Sequence, residues 1–176
     1  MLVGHLRRPR PRRQAPLVRA ARALWTLPTN LLGHLAGLIA SGGRLPRRVG
    51  GAAAVGWLYP IRAGLGLNWV GAVTLGHAIL HRPGVVEGPT TAARLTLAHE
   101  LAHTRQHDLL GPLYLPLHLL AQAVSALVTR GRPITVSRVH DLNPLEQTFI
   151  AISSSALYPP RPSDDEVAAV LADFGV

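Results

Sequence analysis

The run LAHELAHTRQHDLL, residues 97–110, carries His99, Glu100, His103 and His107 within nine residues. On a helical wheel with His99 at zero, His103 falls about 40° away, one turn on, and Gln106 at about −20°. Two imidazoles so placed can converge on one ion. That is the physical content of the pattern H-E-x-x-H, in which neutral His nitrogens hold zinc at roughly 2.0–2.1 Å. Glu100 and His107 fall together, about 80–100° round the helix. Glu100 therefore lies beside the pair and can reach a metal-bound water instead of the metal. Zinc lowers the pKa of such a water toward about 7, and a neighbouring carboxylate can take its proton during attack on a carbonyl. The competing reading is the wet face of an ordinary helix, since a single His is more often a surface or core residue than a ligand.

Two His are half a tetrahedron, and a catalytic site needs a third protein ligand and an open position. With no cysteine in the chain, that ligand must be His, Asp or Glu. His107 lies about 12 Å of helical rise beyond His99, too far for one ion, and is expected instead to tune Glu100 or to contact substrate. His140 and Asp141 sit in the approach to the next helix and stay open as ligands. Glu146 is preferred, because it falls in the first turn of a helix that must pack back onto the core. Against it, Asn143-x-x-Glu146 also fits a helix-capping arrangement. Gln106 faces the metal side of the wheel and suits a hydrogen bond to a ligand.

The elements that must position these residues can be read from punctuation and periodicity. ALWTLPTNLLGHLAGLIAS, residues 23–41, is uncharged. It reads either as a short membrane anchor or as a buried helix starting near Thr29 or Asn30. Residues 51–82 are rich in Gly, Val and aromatics and predict two or three short strands, at about 53–59 and 70–80. The second strand could offer an edge on which an extended peptide adds. Thr90 or Thr91 N-caps a helix that stops at Gly111-Pro112. Residues 113–128 form another apolar helix, bent at Pro116. Asn143-Pro144 opens a helix running to about Ala156. Ser163 and Glu166 make a capping box for a short last helix. The expected organisation is an Arg-rich disordered arm over 1–22, a catalytic domain over 23–157, and a C-terminal tail with a short helix over 158–176.

The net charge of +9 is concentrated rather than general. Arg7, Arg8, Arg10, Arg12, Arg13, Arg19 and Arg22 lie in the first 22 residues, and all nine carboxylates come later. Such an arm attracts phosphate, with an anionic membrane surface as its expected partner. No interleaved aromatics and no recognition motif accompany it, so specific nucleic-acid binding is not expected. The chain resembles a signal peptide poorly at its start, which points to a cytoplasmic or membrane-associated location.

The segments TLGHAILHR, AHELAHTRQHDLLGPLYLPLHLL and DLNPLEQ, together with the LP-x-x-LLG run at 27–33, resemble a group of bacterial proteins of zincin-like type. In that group a strand of the form TLGHVVL precedes an HExxH helix continuing into an Arg-Gln pair. A GPL(F/Y)xP turn, a helix and an NPxE segment follow. The resemblance covers about residues 27–150. It implies an α+β fold, a minimal zincin-like domain that is mostly helical, with a small two- or three-stranded sheet beside the HExxH helix. It also implies a zinc metallopeptidase acting on a peptide or protein substrate. His99, His103 and Glu146 would be the Zn2+ ligands, Glu100 the catalytic base, and Arg105-Gln106 the Arg-Gln pair. His107-Asp108 and Gln147 depart from the group's pattern without removing a ligand. The alternatives are a non-catalytic zinc-binding protein, using the same ligands to hold its fold, and a membrane-surface interaction protein.

Overall fold

The computed structural model of the chain describes residues 16–51, 54–65, 71–129, 142–146 and 163–176. These form a mixed α+β domain. In chain order the elements are α1 (Pro16–Ser41), β1 (Arg47–Gly50), β2 (Val55–Pro60), β3 (Ala72–Leu75), β4 (Ala78–His81), α2 (Thr91–Leu110), α3 (Tyr114–Val128) and α4 (Asp164–Phe174). A single 3-10 turn, Gly111–Leu113, joins α2 to α3.

The sheet has four strands in the order β1-β2-β4-β3, rather than the two or three expected. β2 and β4 run parallel with Trp57 opposite Ala78 and Tyr59 opposite Leu80, and the outer pairs are antiparallel. The expected single strand over 70–80 is a hairpin. Its apolar run is broken at Gly76, where φ is 63°. A two-residue turn, Gly76-His77, suits the right-handed twist of the flanking strands. The hairpin puts β4 in the interior, where all four of its residues are buried, and leaves β3 as the edge.

Strand alternation divides the core into two layers. Leu58 and Ile79 point to one face, where Leu97, Ala98 and Leu101 of α2 and Val167, Leu171 and Phe174 of α4 pack on them. Tyr59, Ala78 and Leu80 point to the other face, against Ala36 and Ala40 of α1. The C-terminal helix is thus part of the core rather than a tail. Its capping box forms as expected, with the Ser163 N–H donating to Glu166 Oε2 (2.7 Å) and the Glu166 N–H to Ser163 Oγ (3.3 Å). The Gly51 N–H, donating to the Phe174 carbonyl (2.6 Å), ties its end to the sheet.

α1 begins at Pro16, well before the start expected near Thr29 or Asn30 and inside the stretch assigned to the arm. Residues 1–15 of that arm lie outside the described residues. The helix continues through Pro28 because tertiary contacts hold it on both sides of the break. The Arg22 guanidinium pairs with the buried Asp108 carboxylate at the end of α2. The Trp25 indole lies against Gly111, where a β-carbon would collide with it. Asn30 accepts the His77 backbone N–H (2.8 Å), and its amide approaches His77 Nδ1 (3.3 Å). Two glycines let α1 come close to the sheet: a methyl on Gly33 would strike the Leu75 carbonyl, and one on Gly37 would lie 2.5 Å from the Tyr59 ring. Gly33→Ala is expected to destabilise the protein by roughly 1–3 kcal/mol through overpacking, read as a lower midpoint in urea with unchanged slope.

His77 closes this polar junction. Burial, helped by His107, Arg22 and His34, pushes its pKa down to about 4, so it is neutral near pH 7. Neutral His77 can donate Nε2–H to Asp108 Oδ1 (2.8 Å) while Nδ1 accepts from Asn30. The unfolded chain, with an ordinary His pKa near 6.5, binds more protons than the folded one between that value and about 4. This contribution to stability is complete above pH 6.5 and is lost as the pH falls through that window, by on the order of 2–3 kcal/mol. Melting curves between pH 7 and 4 are expected to fall less steeply for His77→Gln than for the parent, and superimposable profiles would remove His77 from the account.

Candidate metal centre

α2 places His99 and His103 one turn apart on a side of the helix that does not face the sheet core. Its N-terminus is capped by Thr90, whose hydroxyl accepts the Ala93 N–H (3.2 Å), and its C-terminus breaks at Gly111 with φ 54°. The two Nε2 atoms are 2.9 Å apart. Glu146 Oε2 reaches both, at 3.2 Å from His99 Nε2 and 3.0 Å from His103 Nε2. All three side chains are buried.

The segment bearing Glu146 is a tight turn. Asn143 Oδ1 accepts the Leu145 N–H (3.0 Å), and the Glu146 N–H donates to the Asn143 carbonyl (2.9 Å). Asn143 is itself fully buried and donates its amide to Gln122 Oε1 of α3 (3.0 Å). Asn143 therefore organises the turn, while the Glu146 carboxylate is directed at the His pair instead of back onto a cap. The helix expected beyond this turn, to about Ala156, lies outside the described residues, as do the alternative ligands His140 and Asp141.

Gln106 joins the two halves of the site. Its Oε1 accepts from His103 Nδ1 (2.9 Å), and its Nε2 donates to the Leu145 carbonyl (2.8 Å). A proton on Nδ1 leaves Nε2 with its lone pair facing His99 and Glu146, the orientation a metal ligand needs. Tyr114 Oη lies 3.0 Å from the same Nδ1. Burial, followed by the charges of Glu146 and Glu100, raises the Tyr114 pKa and keeps it a phenol.

Three electron-rich atoms at these separations favour a positive charge between them. Burial of His103 opposes its protonation. The hydrogen bond and charge of Glu146, with Glu100 and Gln106, outweigh that and raise its pKa to about 9. A metal ion answers the same demand. Tetrahedral donors at zinc distances lie about 3.3–3.4 Å apart, so the triad would accept zinc with an expansion of only a few tenths of an ångström. The residues present fit the ion, by donor chemistry and by spacing.

Glu100 is buried beside the triad and is not one of its three converging atoms. Its Oε2 accepts from the Thr74 hydroxyl of the edge strand β3 (2.5 Å). His107 does not reach this carboxylate or the surface. It is fully buried, edge-on to the rings of His77 (6.0 Å) and Tyr114 (5.7 Å), and burial lowers its pKa against the nearby Thr26 backbone. The wheel places it correctly in angle, but two turns of rise carry it past Glu100 to the junction with α1. Sequence reasoning missed Thr74, Tyr114, Gln122 and His118. His118 Nε2 lies 3.2 Å from Glu146 Oε1, the oxygen that faces away from the His pair. Tyr114 and His118 repeat the four-residue spacing of His99 and His103 within an apolar run, which was the one available signal.

One zinc ion per chain is expected in equilibrium dialysis, with binding abolished in His99→Ala and Glu146→Ala. Gln106→Ala is expected to weaken affinity about 10–100-fold, since it removes the bond that orients His103. Full zinc affinity in the Glu146 variant would refute the assignment of the third ligand. Comparisons of the chain with protein-family models, with curated proteins and with solved structures gave no significant match in any of the three.

Proposed function

We propose that the chain is a zinc metallopeptidase of the minimal zincin type, using His99, His103 and Glu146 to hold the ion and Glu100 as the catalytic base. The observation that carries this reading is the placement of Glu100. It adjoins the ligand set without belonging to it, and Thr74 holds its carboxylate by a 2.5 Å hydrogen bond. A site that served only to brace the fold would have no use for a buried carboxylate beside three ligands that leave a position open.

Bound zinc would supply Lewis acidity, lowering the pKa of a water and polarising a carbonyl. The chain's own residues do the rest. Glu100 takes the proton during attack and can return it to the leaving amine. The Thr74 hydroxyl fixes which oxygen of that carboxylate is free to act. Gln106 keeps His103 in the tautomer that ligates, and His118 holds the outer oxygen of Glu146. Thr74 belongs to β3, the edge of the sheet among the described residues, so an extended peptide pairing with that edge would pass the carboxylate. The family resemblance of the H-E-x-x-H, GPLYLP and NPLE segments points the same way.

Glu100→Gln is expected to keep zinc at one per chain and to lower cleavage of a denatured protein substrate by at least about 100-fold, the usual contribution of a general base. Mass spectrometry of the products would reveal the cleaved bonds. Undiminished cleavage by that variant would defeat the mechanism, and a zinc-loaded parent with no cleavage would favour the purely structural site.

A further inference from the structure

α1 is built inside out for a water-facing helix. Its inward side carries Thr26, Thr29, Gly33, Gly37 and Ala40, all buried. Its outward side carries Leu24, Leu27, Leu31, Leu35 and Ile39, all exposed. At about 100° per residue the two sets fall on opposite sides of the wheel. Thr26 is 1% exposed and Leu31 61%, the reverse of the distribution that water imposes on a surface helix. α3 repeats the arrangement: Tyr114 and Ser125 are buried, while Leu117, Leu120, Val124 and Leu127 are exposed. No charged residue occurs between positions 23 and 41 or between 113 and 128. In the most apolar window of the continuous Thr91–Val128 run, only 17% is buried. The two apolar surfaces start from one place, because the 3-10 turn that leads into α3 is also where Trp25 of α1 packs on Gly111.

We propose that the outward faces of α1 and α3 lie in the acyl region of an anionic lipid bilayer, which the domain enters from one side without crossing it. Crossing would need lipid all round α1, yet its inward face is sealed to the sheet by Gly33 and Gly37. A helix with one apolar face, lying in the interface plane, meets both constraints. Charge complementarity selects lipid over a second copy of the chain. Arg7, Arg8, Arg10, Arg12 and Arg13 immediately precede α1, where they can meet phosphate head groups. Trp25, half-exposed at the junction, is the residue type that settles at the head-group boundary. The Gly33-x-x-x-Gly37 pair, which could otherwise join two apolar helices, is already occupied by the sheet. The inference stands apart from the peptidase reading and holds whether or not the metal centre is catalytic.

Flotation of the full chain with phosphatidylcholine vesicles, with and without phosphatidylglycerol, tests it. The chain is expected to float with the anionic vesicles. The variant Leu31→Gln/Leu35→Gln/Leu120→Gln/Leu127→Gln is expected to bind at least about tenfold more weakly, from the lost apolar burial, with unchanged helix content and zinc stoichiometry. Replacing the five arginines by glutamine should remove the salt-sensitive part of binding and the preference for anionic vesicles. Flotation of the leucine variant at the level of the parent would overturn the proposal. So would a parent chain that ignores vesicles, whether as a monomer or as a dimer that shields these leucines.

Discussion

A carboxylate buried within 3.2 Å of two imidazole nitrogens requires positive charge, and the architecture around α2 is arranged around that requirement. An ionised carboxylate without such charge would be costly to bury. The helix meets two demands with one register. Leu97, Ala98 and Leu101 pack on the sheet, and His99 and His103 are carried round to meet the turn at Asn143–Glu146. Gln106 makes the two demands interdependent, since one amide orients the His103 imidazole and also holds the turn that delivers the Glu146 carboxylate to it. The position of the carboxylate is therefore coupled to the tautomer of the imidazole, and both depend on α2 staying docked.

A second polar assembly sets the far end of the same helix. Arg22, Asp108, His77 and Asn30 connect α1, the β3–β4 turn and α2. Its charges and hydrogen bonds are largely matched, which is the condition for burying such groups. Because Thr74 and His77 lie on one hairpin, fixing the turn against Asp108 and Asn30 also fixes the strand whose hydroxyl holds Glu100. The junction thus acts on the candidate base through β3. It also explains why α1, despite Pro28, is one helix from Pro16 to Ser41.

Local signals were legible where a residue acts on its own element. The spacing of His99 and His103 set their common face, Gly111-Pro112 ended α2, and Ser163 with Glu166 capped α4. The expected angle of Gln106 was also right, because an i, i+3 relation to His103 is settled by helical geometry alone. Where a neighbour in space decides, the reading went astray. The hairpin over 72–81 looked like one strand because an apolar run has no marker of direction apart from Gly76. α1 looked shorter than it is, because the partners that carry it past Pro28 lie near residues 77 and 108–111. The last helix looked like a tail, because Val167, Leu171 and Phe174 show an apolar stripe without showing what it packs on.

The amino-acid order alone therefore determined the donor types, the four-residue step that aligns two of them, and the carboxylate set beside the pair. All of these follow from the fixed geometry of a single helix. Tertiary structure decided that Glu146 is the third converging group, that Thr74 holds Glu100, and that His107 is sealed at a junction instead of serving the site. It also decided which side of α1 faces outward: the leucine stripe could equally have been a core face, until Gly33 and Gly37 brought the opposite side against the sheet. The physical reason is the same in each case: periodicity defines the faces of an element, and only packing against a particular partner determines what each face meets.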